Sequence, residues 1–365
     1  MKILYVIANA NIGGIERLVA QLCCALRTMP VVSQCDILCF MQAQGTLTNY
    51  FQSLNIDCIN GGLRSGFDFN PIRLKMIYRK MKEYDIIHLN SINFFVCLMA
   101  WLSGRTVLYT EHGTFGFGTN MTWRKKIAQW LKKLALNFFV DDFFFNSNFS
   151  KKIAISRYGR KLNSGQVVYN CLGPLPAPQQ VDHMTLEAVR DKFVVCSVAR
   201  FAGVKRIDRL NRAFAEFHKT HPTAMLLLVG DGPLKNDYIR QLTELKITAY
   251  VHFAGFQENV YDYMRLADVC VLPSANEAFG LTYLESMKVG TPCIVFSDGG
   301  GVAEIAALFD TNDIVPEEES LTSRLSWYFE HHDKPEEKRI AFASSFSIEK
   351  TAECLLQEYS RKTNL

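Results

Sequence analysis

Two carboxylates, Glu277 and Glu285, lie eight positions apart in the stretch SANEAFGLTYLESMKVGTPC. Residues 268–274 are apolar and predict a buried parallel strand, and a helix is expected from about Gly280 to Gly290. The start of such a helix directs backbone N–H groups at an anion. A carboxylate does not bind a phosphate, but it accepts hydrogen bonds from neighbouring hydroxyls. This combination suits a sugar nucleotide.

Two cations bracket the loop that follows the predicted strand FVVCSVA: Arg200 and Lys205. Arginine offers a planar fork and lysine a point charge, so together they suit a diphosphate. Both would stabilise the negative charge that develops on a departing nucleotide. The alternative is a solvated basic loop, and Arg206 competes with Lys205 for the role.

His112 and the pair Gly13-Gly14 also follow predicted strands. His112 precedes the glycine-rich GTFGFG and is placed to contact a reacting group or a diphosphate; a capping histidine is the alternative. The glycine pair lets a phosphate approach the backbone, although such a pair more often reflects ordinary turn geometry. It is not the G-x-G-x-x-G fingerprint, which argues against an NAD enzyme. His88, within DIIHLN, is expected to pack at a strand end.

Short apolar runs alternate with helix-period segments along the chain, which predicts an α/β protein with parallel sheets covered by helices. Two such series indicate twin Rossmann-like domains, in which ligands bind beyond the carboxyl ends of the strands. The predicted strands are 2–8, 34–40, 84–90, 105–111, 141–147, 166–170, 193–199, 224–229, 251–255, 269–273 and 293–297. The predicted organisation is an N-terminal domain (1–172), a Pro-rich linker (173–183), a C-terminal domain (184–345) and a helix (346–365) that packs back toward the N-terminal domain.

Charge is distributed unevenly along the chain. Residues 1–181 hold 20 Lys and Arg against 9 Asp and Glu, whereas the rest holds 20 against 27. This asymmetry points to an anionic partner for the N-terminal half. No apolar run approaches the ~20 residues of a membrane-spanning helix. The 11 cysteines lack C-x-x-C spacing, which predicts reduced thiols in a cytosolic protein.

The stretch Trp123–Phe139, WRKKIAQWLKKLALNFF, predicts an amphipathic helix with the composition of a helix lying in a membrane interface. We interpret it as a contact with an anionic membrane surface; packing of its apolar face on its own domain is the alternative. Nucleic acid is not expected as a partner, because no stacking platform accompanies the charge. On a helical wheel the apolar face holds Trp123, Ile127, Trp130, Leu131 and Leu134, and Arg124, Lys125, Lys126, Lys132 and Lys133 lie away from its centre.

Taken together, these motifs resemble the retaining GT-B glycosyltransferases of glycosyltransferase family 4. The resemblance covers almost the whole chain, and its last motif is a full Glu-x7-Glu sequence. It implies two Rossmann-like domains facing across a cleft, with a nucleotide-diphosphate sugar on the C-terminal domain and an acceptor on the N-terminal one. The motifs are IGGIERL, TEHGTF, SVARFAGVKRIDRL, LVGDGPL, VHFAGF and NEAFGLTYLESMKVGTPCIV.

The resemblance also implies roles for single residues. Arg200 and Lys205 would grip the diphosphate, Glu285 the ribose hydroxyls and Glu277 the sugar hydroxyls. His112 would sit near the transferred sugar and the acceptor, and completes the expected catalytic set of His112, Glu277, Arg200 and Lys205. The remaining donor-binding residues are Phe279, Gly280 and Leu281 through backbone N–H groups, Gly13 and Gly14 over the phosphates, Gly230 in the turn of LVGDGPL, and Gly255 and Phe256 beside the base.

The reaction implied is transfer of a hexose-type sugar, with retention of anomeric configuration and without a bound metal or other cofactor. We expect a UDP-sugar as donor and a saccharide or lipid-linked saccharide as acceptor, in cell-surface polysaccharide or lipopolysaccharide synthesis. The protein is expected in the cytoplasm, peripherally attached to the inner face of the cell membrane. An NDP-sugar 2-epimerase of similar architecture and a non-catalytic membrane-surface binding protein are the alternatives.

Overall fold

The computed structural model describes residues 1–11, 13–41, 43, 45–113, 122–331 and 336–363. The chain divides into two compact units. Unit 1 is Met1–Gly173 together with Phe346–Leu365, and unit 2 is Pro174–Ser345. Each unit contains one sheet of parallel strands packed against helices, so the predicted α/β class is confirmed.

The sheet of unit 1 has seven strands in the order β3-β2-β1-β4-β5-β6-β7. Six of the strands coincide with predicted ones; the three-residue β3 was not predicted because it is too short to show a period. The strands are β1 (Lys2–Ile7), β2 (Gln34–Cys39), β3 (Cys58–Asn60), β4 (Ile86–Leu89), β5 (Thr106–Glu111), β6 (Asp142–Phe145) and β7 (Gln166–Val167).

The sheet of unit 2 has six parallel strands in the order β10-β9-β8-β11-β12-β13. The two-residue β13 was not predicted, for the same reason as β3. The strands are β8 (Phe193–Val198), β9 (Ala224–Val229), β10 (Val251–Gly255), β11 (Val269–Leu272), β12 (Cys293–Phe296) and β13 (Ile314–Val315).

Helices connect the successive parallel strands of each sheet. The helices are α1 (Gly14–Arg27), α2 (Thr48–Ser53), α3 (Pro71–Met81), α4 (Phe94–Leu102), α5 (Trp123–Phe138), α6 (Asn148–Tyr158), α7 (His183–Val189), α8 (Ile207–Thr220), α9 (Lys235–Glu244), α10 (Val260–Arg265), α11 (Leu281–Lys288), α12 (Gly301–Ala307), α13 (Glu318–His331), α14 (Glu336–Ser344) and α15 (Ile348–Thr363). Helices α13, α14 and α15 follow the last strand.

Unit 1 has a core on each face of its sheet, because successive strand residues point to opposite faces. In β1, Ile3, Tyr5 and Ile7 belong to one core, with α1, α2 and α15. Leu4 and Val6 belong to the other, with α3, α4, α5 and α6. A strand buried on both faces is apolar throughout, which explains why the sequence showed continuous runs here.

The C-terminal helix α15 is held to unit 1 by a buried polar network as well as by apolar packing. The hydroxyl of Tyr359 lies 3.0 Å from that of Tyr5 and 2.5 Å from Nδ1 of His88. Nε2 of His88 is hydrogen-bonded to Thr110 at 2.6 Å. Burial lowers the pKa of His88 to about 3, so the ring is neutral at pH 7. His88 therefore has a structural role.

Within the part of the chain that the structure describes, no helix is both long enough and apolar enough to cross a lipid bilayer.

Candidate functional site

The carboxyl edge of the unit 2 sheet brings the predicted carboxylates and cations together. In the strand order, β8 lies between β9 and β11, so the chain reverses its direction of travel across the sheet at this point. Ligands of open α/β sheets bind in the crevice that such a reversal creates. Arg200 and Lys205 follow β8, and Glu277 follows β11, so the two predicted motifs meet at this position.

Lys205 and Glu277 form an ion pair, with Nζ of Lys205 2.8 Å from Oε1 of Glu277. Their side chains are 21% and 20% exposed, so the pair is accessible to a ligand. An ammonium has three N–H donors, and this bond uses one of them. Arg200 is exposed at the start of the same loop. The pairing of Lys205 with Glu277 was not predicted from the sequence.

The loop that carries Glu277 is fixed by its backbone. The N–H of Glu277 donates to the carbonyl of Gly299 at 2.9 Å, and the N–H of Gly301 donates to the carbonyl of Glu277 at 2.7 Å. Gly280 has φ 93°, and a Cβ there would lie 2.4 Å from Cγ2 of Val302. Only glycine fits this left-handed, crowded position. The Glu-x7-Glu loop is therefore held rigidly against the glycine turn that precedes α12.

Helix α11 begins at Leu281, immediately after Gly280, and its N-terminus lies at the carboxyl edge of the sheet. The first N–H groups of a helix have no acceptor within the helix and favour an anion. Phe279 is buried just before this end, whereas Glu285 is half-buried about one turn inside the helix. The predicted helix is thus confirmed within two residues at each end, and Glu277 and Glu285 flank its N-terminus.

Gly230 directly follows β9, and Gly255 is the last residue of the neighbouring strand β10. The N–H of Gly230 donates to the carbonyl of Gly255 at 2.7 Å. A Cβ on Gly230 would lie 2.0 Å from the carbonyl oxygen of Ala199, so the turn needs a residue without a side chain. Phe256, the next residue after β10, is 59% exposed, which leaves its ring available to a flat ligand.

Arg209 on α8 supports this site and was missed from the sequence. It is buried, and it donates to the carbonyls of Pro273 and Ser274 at 2.8 and 3.0 Å. The same guanidinium holds both carboxylate oxygens of Asp298, at 2.8 and 3.0 Å. It therefore ties the end of β11 to the turn after β12, between which the Glu277 loop is held. Its partners are too distant in sequence for any local motif to indicate them.

In unit 1 the structure brings His112 to Asn90, at the ends of the adjacent strands β5 and β4. The amide of Asn90 donates to the carbonyl of His88 at 3.2 Å, which fixes its orientation. Its oxygen therefore accepts from Nε2–H of His112, at 2.7 Å. Nδ1 of His112 is buried and has no hydrogen-bond partner among the described residues. Burial, with a contribution from Lys132, lowers the pKa of His112 to about 4, so Nδ1 is an acceptor at pH 7.

A cavity of about 780 Å³ lies beside His112 in unit 1. Its wall is largely aromatic and aliphatic, including Phe94, Phe95 and Ile92. Its polar groups include His112 and Asn90 as well as a buried ion pair, in which Nζ of Lys132 is 2.8 Å from Glu111. The cavity thus has the apolar wall and few polar groups of an organic-ligand site.

The structure corrects the sequence interpretation of α5. Lys132 does not lie with the exposed cations of the helix, because it faces the sheet and its side chain is 10% exposed. Its attraction to Glu111 offsets part of the cost of burying the charge. Conversely, Trp123 and Trp130 of the predicted apolar face are 66% and 60% exposed. These two tryptophan side chains are therefore not covered by the unit to which α5 belongs.

Gly13 and Gly14 form the N-terminus of α1, as predicted. Oε2 of Glu16 lies 2.1 Å from the position that a Cβ on Gly13 would occupy. Burial raises the pKa of Glu16. A carboxylate therefore already lies at this helix end, and it would have to move for a phosphate to bind there. The glycine-rich residues 114–118 that follow Gly113 lie outside the described residues.

No group of three or more His, Cys, Asp or Glu side chains is arranged to hold a metal ion in the described ranges. Asp141 accepts a hydrogen bond from the N–H of Val107 at 2.8 Å. Asp142 pairs with Lys362 at 2.6 Å.

Two family models match the chain. The model for glycosyltransferase family 4 matches residues 12–172, and that for glycosyl transferases group 1 matches residues 179–357. Between them they account for nearly all of the chain.

Named relatives and solved structures are similar to the chain. An alpha-monoglucosyldiacylglycerol synthase of Acholeplasma laidlawii is 38% identical over 110 residues, 30% of this chain and 28% of that protein. An N-acetyl-alpha-D-glucosaminyl L-malate synthase of Bacillus anthracis is 37% identical over 118 residues, 32% of this chain and 30% of that protein. The matched stretch thus spans less than a third of either relative's length. Anabaena Alr3699/HepE, solved with UDP, superposes with a TM-score of 0.80 at 19% identity, covering 99% of this chain and 100% of that one. This likeness confirms the predicted GT-B fold.

Proposed function

We propose that this chain, which belongs to glycosyltransferase family 4, transfers a hexose from a UDP-sugar to a saccharide or lipid-linked saccharide. The acceptor would be an intermediate of cell-surface polysaccharide or lipopolysaccharide synthesis at the inner face of the cell membrane. The observation that carries the proposal is the Lys205–Glu277 ion pair at the strand-order reversal of unit 2. It supports the proposal because a cation and a hydroxyl acceptor are paired at the sheet edge where α11 begins.

In this proposal the diphosphate lies between the loop after β8 and the N-terminus of α11. Lys205 keeps its bond to Glu277 and donates its two other N–H groups to the diphosphate, while Arg200 adds a second charge. Glu277 then accepts from hydroxyls of the transferred sugar, and Glu285 from those of the ribose. Phe256, beside Gly255, borders the base.

The choice of UDP and that of a hexose have one support each. Anabaena Alr3699/HepE, which shares the fold, was solved with UDP and with UDP-glucose. The names of the two synthases given above contain a glucosyl and an N-acetyl-glucosaminyl group, which agrees with a hexose donor.

The acceptor, in this proposal, occupies the cavity of unit 1. Its apolar wall suits the hydrophobic part of a lipid-linked acceptor, and His112 and Asn90 suit its sugar. Nδ1 of His112 would accept from a hydroxyl, because the other ring nitrogen is committed to Asn90.

We further propose retention of anomeric configuration without a metal. Arg200 and Lys205 supply the positive charge that a divalent cation provides elsewhere. The acceptor oxygen attacks the anomeric carbon on the face from which the diphosphate departs, and a phosphate oxygen of the leaving group takes its proton. Anomeric ¹H NMR of the first product should show the configuration of the donor, with and without EDTA.

The test is release of the matching nucleoside diphosphate (UDP, GDP or ADP) from UDP-, GDP- and ADP-sugars by the full chain. Turnover should be highest with one UDP-sugar, and Lys205→Ala should lower it by at least about tenfold, since a charged hydrogen bond contributes about 1.5–3 kcal/mol. Lys219→Ala, which removes an exposed ion pair with Glu216, is the matched control and should leave turnover unchanged. Conversion of the donor to its 2-epimer without an acceptor would instead identify an epimerase.

A further inference from the structure

One outer surface of unit 1 exposes large apolar side chains on three adjacent helices. Helices α3, α4 and α5 contact one another in this order and contribute to the same core on one face of the sheet. Their outward side chains, and two residues just before α3, form a set that we call the apolar patch. Its members are 41–79% exposed: Phe67, Phe69, Ile72, Met76, Trp101, Leu102, Trp123, Ile127, Trp130 and Phe138.

A chain of aromatic contacts links two members of the patch, Phe69 and Trp101. The ring of Phe69 lies 6.0 Å from that of Phe95, and Phe95 lies 5.5 Å from Phe94. Phe94 lies 5.4 Å from Phe139, which in turn lies 5.7 Å from Trp101. Single exposed apolar residues need no explanation, but a contiguous group of this kind marks an interaction surface.

The charged side chains on the three helices themselves have one sign, although Asp68 and Glu83 lie beside them. Helices α3, α4 and α5 contain nine Lys and Arg and no Asp or Glu. Three of the nine are already paired, Arg73 with Asp68, Lys80 with Glu83 and Lys132 with Glu111. The other six are exposed: Lys75, Arg79, Arg124, Lys125, Lys126 and Lys133.

We propose that the apolar patch docks on an anionic lipid bilayer. Tryptophan and phenylalanine rings would lie at the level of the headgroups, and the six exposed cations would contact lipid phosphates. This surface extends the predicted contact from α5 to three helices and excludes Lys132. A second copy of the chain fits the patch less well, because the two surfaces would carry the same charge.

The position of the cavity connects the docking to acceptor binding. Phe67 of the patch lines the cavity beside His112, as do Phe94 and Phe95 of the aromatic chain. A docked patch therefore holds the cavity beside the bilayer, where an acceptor with a lipid anchor is present. This connection to acceptor binding rests on the proposed function. The docking itself does not, because it is measured without any sugar.

Cosedimentation of the full chain with vesicles tests the docking. The chain should bind phosphatidylcholine–phosphatidylglycerol vesicles and not pure phosphatidylcholine. Replacing Lys75, Arg124, Lys126 and Lys133 by Gln should weaken binding by more than about tenfold at low salt. The matched control replaces Lys192, Lys219, Arg240 and Lys338, exposed cations of unit 2, by Gln and should bind as the parent does. Equal weakening in both variants would show a response to net charge alone and overturn the proposal.

Tryptophan fluorescence tests which surface meets the lipid. Three of the 4 tryptophans lie in the patch, and the fourth, Trp327, stacks on His331 in unit 2. Vesicles should shift emission to the blue in Trp327→Phe but not when Trp101, Trp123 and Trp130 are all replaced by Phe. The reverse result would overturn the proposal, as would sedimentation equilibrium showing a dimer that the triple variant abolishes.

UDP binding by calorimetry separates this proposal from the proposed function. The variant in which Lys75, Arg124, Lys126 and Lys133 are replaced by Gln should bind UDP as the parent does, because none of the replaced residues lies in unit 2. Vesicle binding without UDP binding would leave the docking intact and contradict the transferase. UDP binding without vesicle binding would contradict the docking and leave the transferase proposal intact.

Discussion

Nζ of Lys205 lies 2.8 Å from Oε1 of Glu277, although 72 positions separate the two residues in the sequence. The contact joins the loop after β8 to the loop after β11 at the strand-order reversal of unit 2. It also balances the lysine charge before any anion arrives, so Glu277 and an incoming diphosphate share one cation.

This sharing predicts opposite effects for the two partners. Lys205→Ala should weaken UDP binding at least about tenfold, because a charge-assisted hydrogen bond is lost. Glu277→Gln should leave UDP binding equal or tighter, since it removes the competing charge, but should lower sugar turnover. Calorimetry with UDP and a UDP-release assay measure the two quantities. Weaker UDP binding in Glu277→Gln would contradict the assignment of Glu277 to the sugar.

Much of this site could be predicted from the sequence, because its parts are local. The apolar run 268–274, the glycine at 280 and the helix start after it are neighbours in the chain, and the structure has them as expected. Contacts between distant segments could not be predicted. The pairing of Lys205 with Glu277 and the anchoring of Pro273 by Arg209 depend on which strands are adjacent, and no local period reports that.

The same limit explains the error at Lys132. A helical wheel gives the angular position of each side chain, but it does not show that Glu111 ends a strand beneath the helix. Strands β3 and β13 were missed because runs of three and two residues cannot show alternation.

Arg209→Met should destabilise unit 2, because it leaves two backbone carbonyls and Asp298 without their donor. We expect a loss of at least about 2 kcal/mol, since one buried acceptor without a partner costs about 1–3 kcal/mol. Thermal unfolding followed by circular dichroism measures the change. Arg240→Met, at an exposed pair with Asp237, is the control and should change little. Equal stability of the two variants would show that Arg209 does not hold the loop.

Unit 1 should lose stability as the pH falls from 7 to 5. The pKa of His88 is lowered to about 3 and that of His112 to about 4, so the folded chain does not bind these protons in this range. The unfolded chain binds them below about 6.5, so each histidine costs up to about 1.4 kcal/mol per pH unit. Urea unfolding at both pH values measures the loss.

His112→Asn should reduce that pH dependence, because one of the two unprotonated rings is removed. His183→Asn is the control, since the side chain of His183 is 84% exposed. An unchanged pH dependence in His112→Asn, or a protonated His112 in the NMR spectrum at pH 6, would contradict the burial argument.

Ala128→Trp should block the cavity of unit 1, because Ala128 lines it and is not itself a buried core residue. Transfer to the acceptor should fall, while UDP binding in unit 2 stays unchanged. Lys152→Trp, at an exposed position of α6 away from the cavity, is the control for the added ring. Unchanged transfer in Ala128→Trp would place the acceptor elsewhere.

The most direct test of the transferase is release of the matching nucleoside diphosphate from a panel of UDP-, GDP- and ADP-sugars by the parent chain and by Lys205→Ala. We expect the parent chain to turn over a UDP-sugar, and we expect this turnover to be at least about tenfold lower in Lys205→Ala. Equal turnover by the two chains, or no turnover of any nucleotide sugar, would contradict the proposed function.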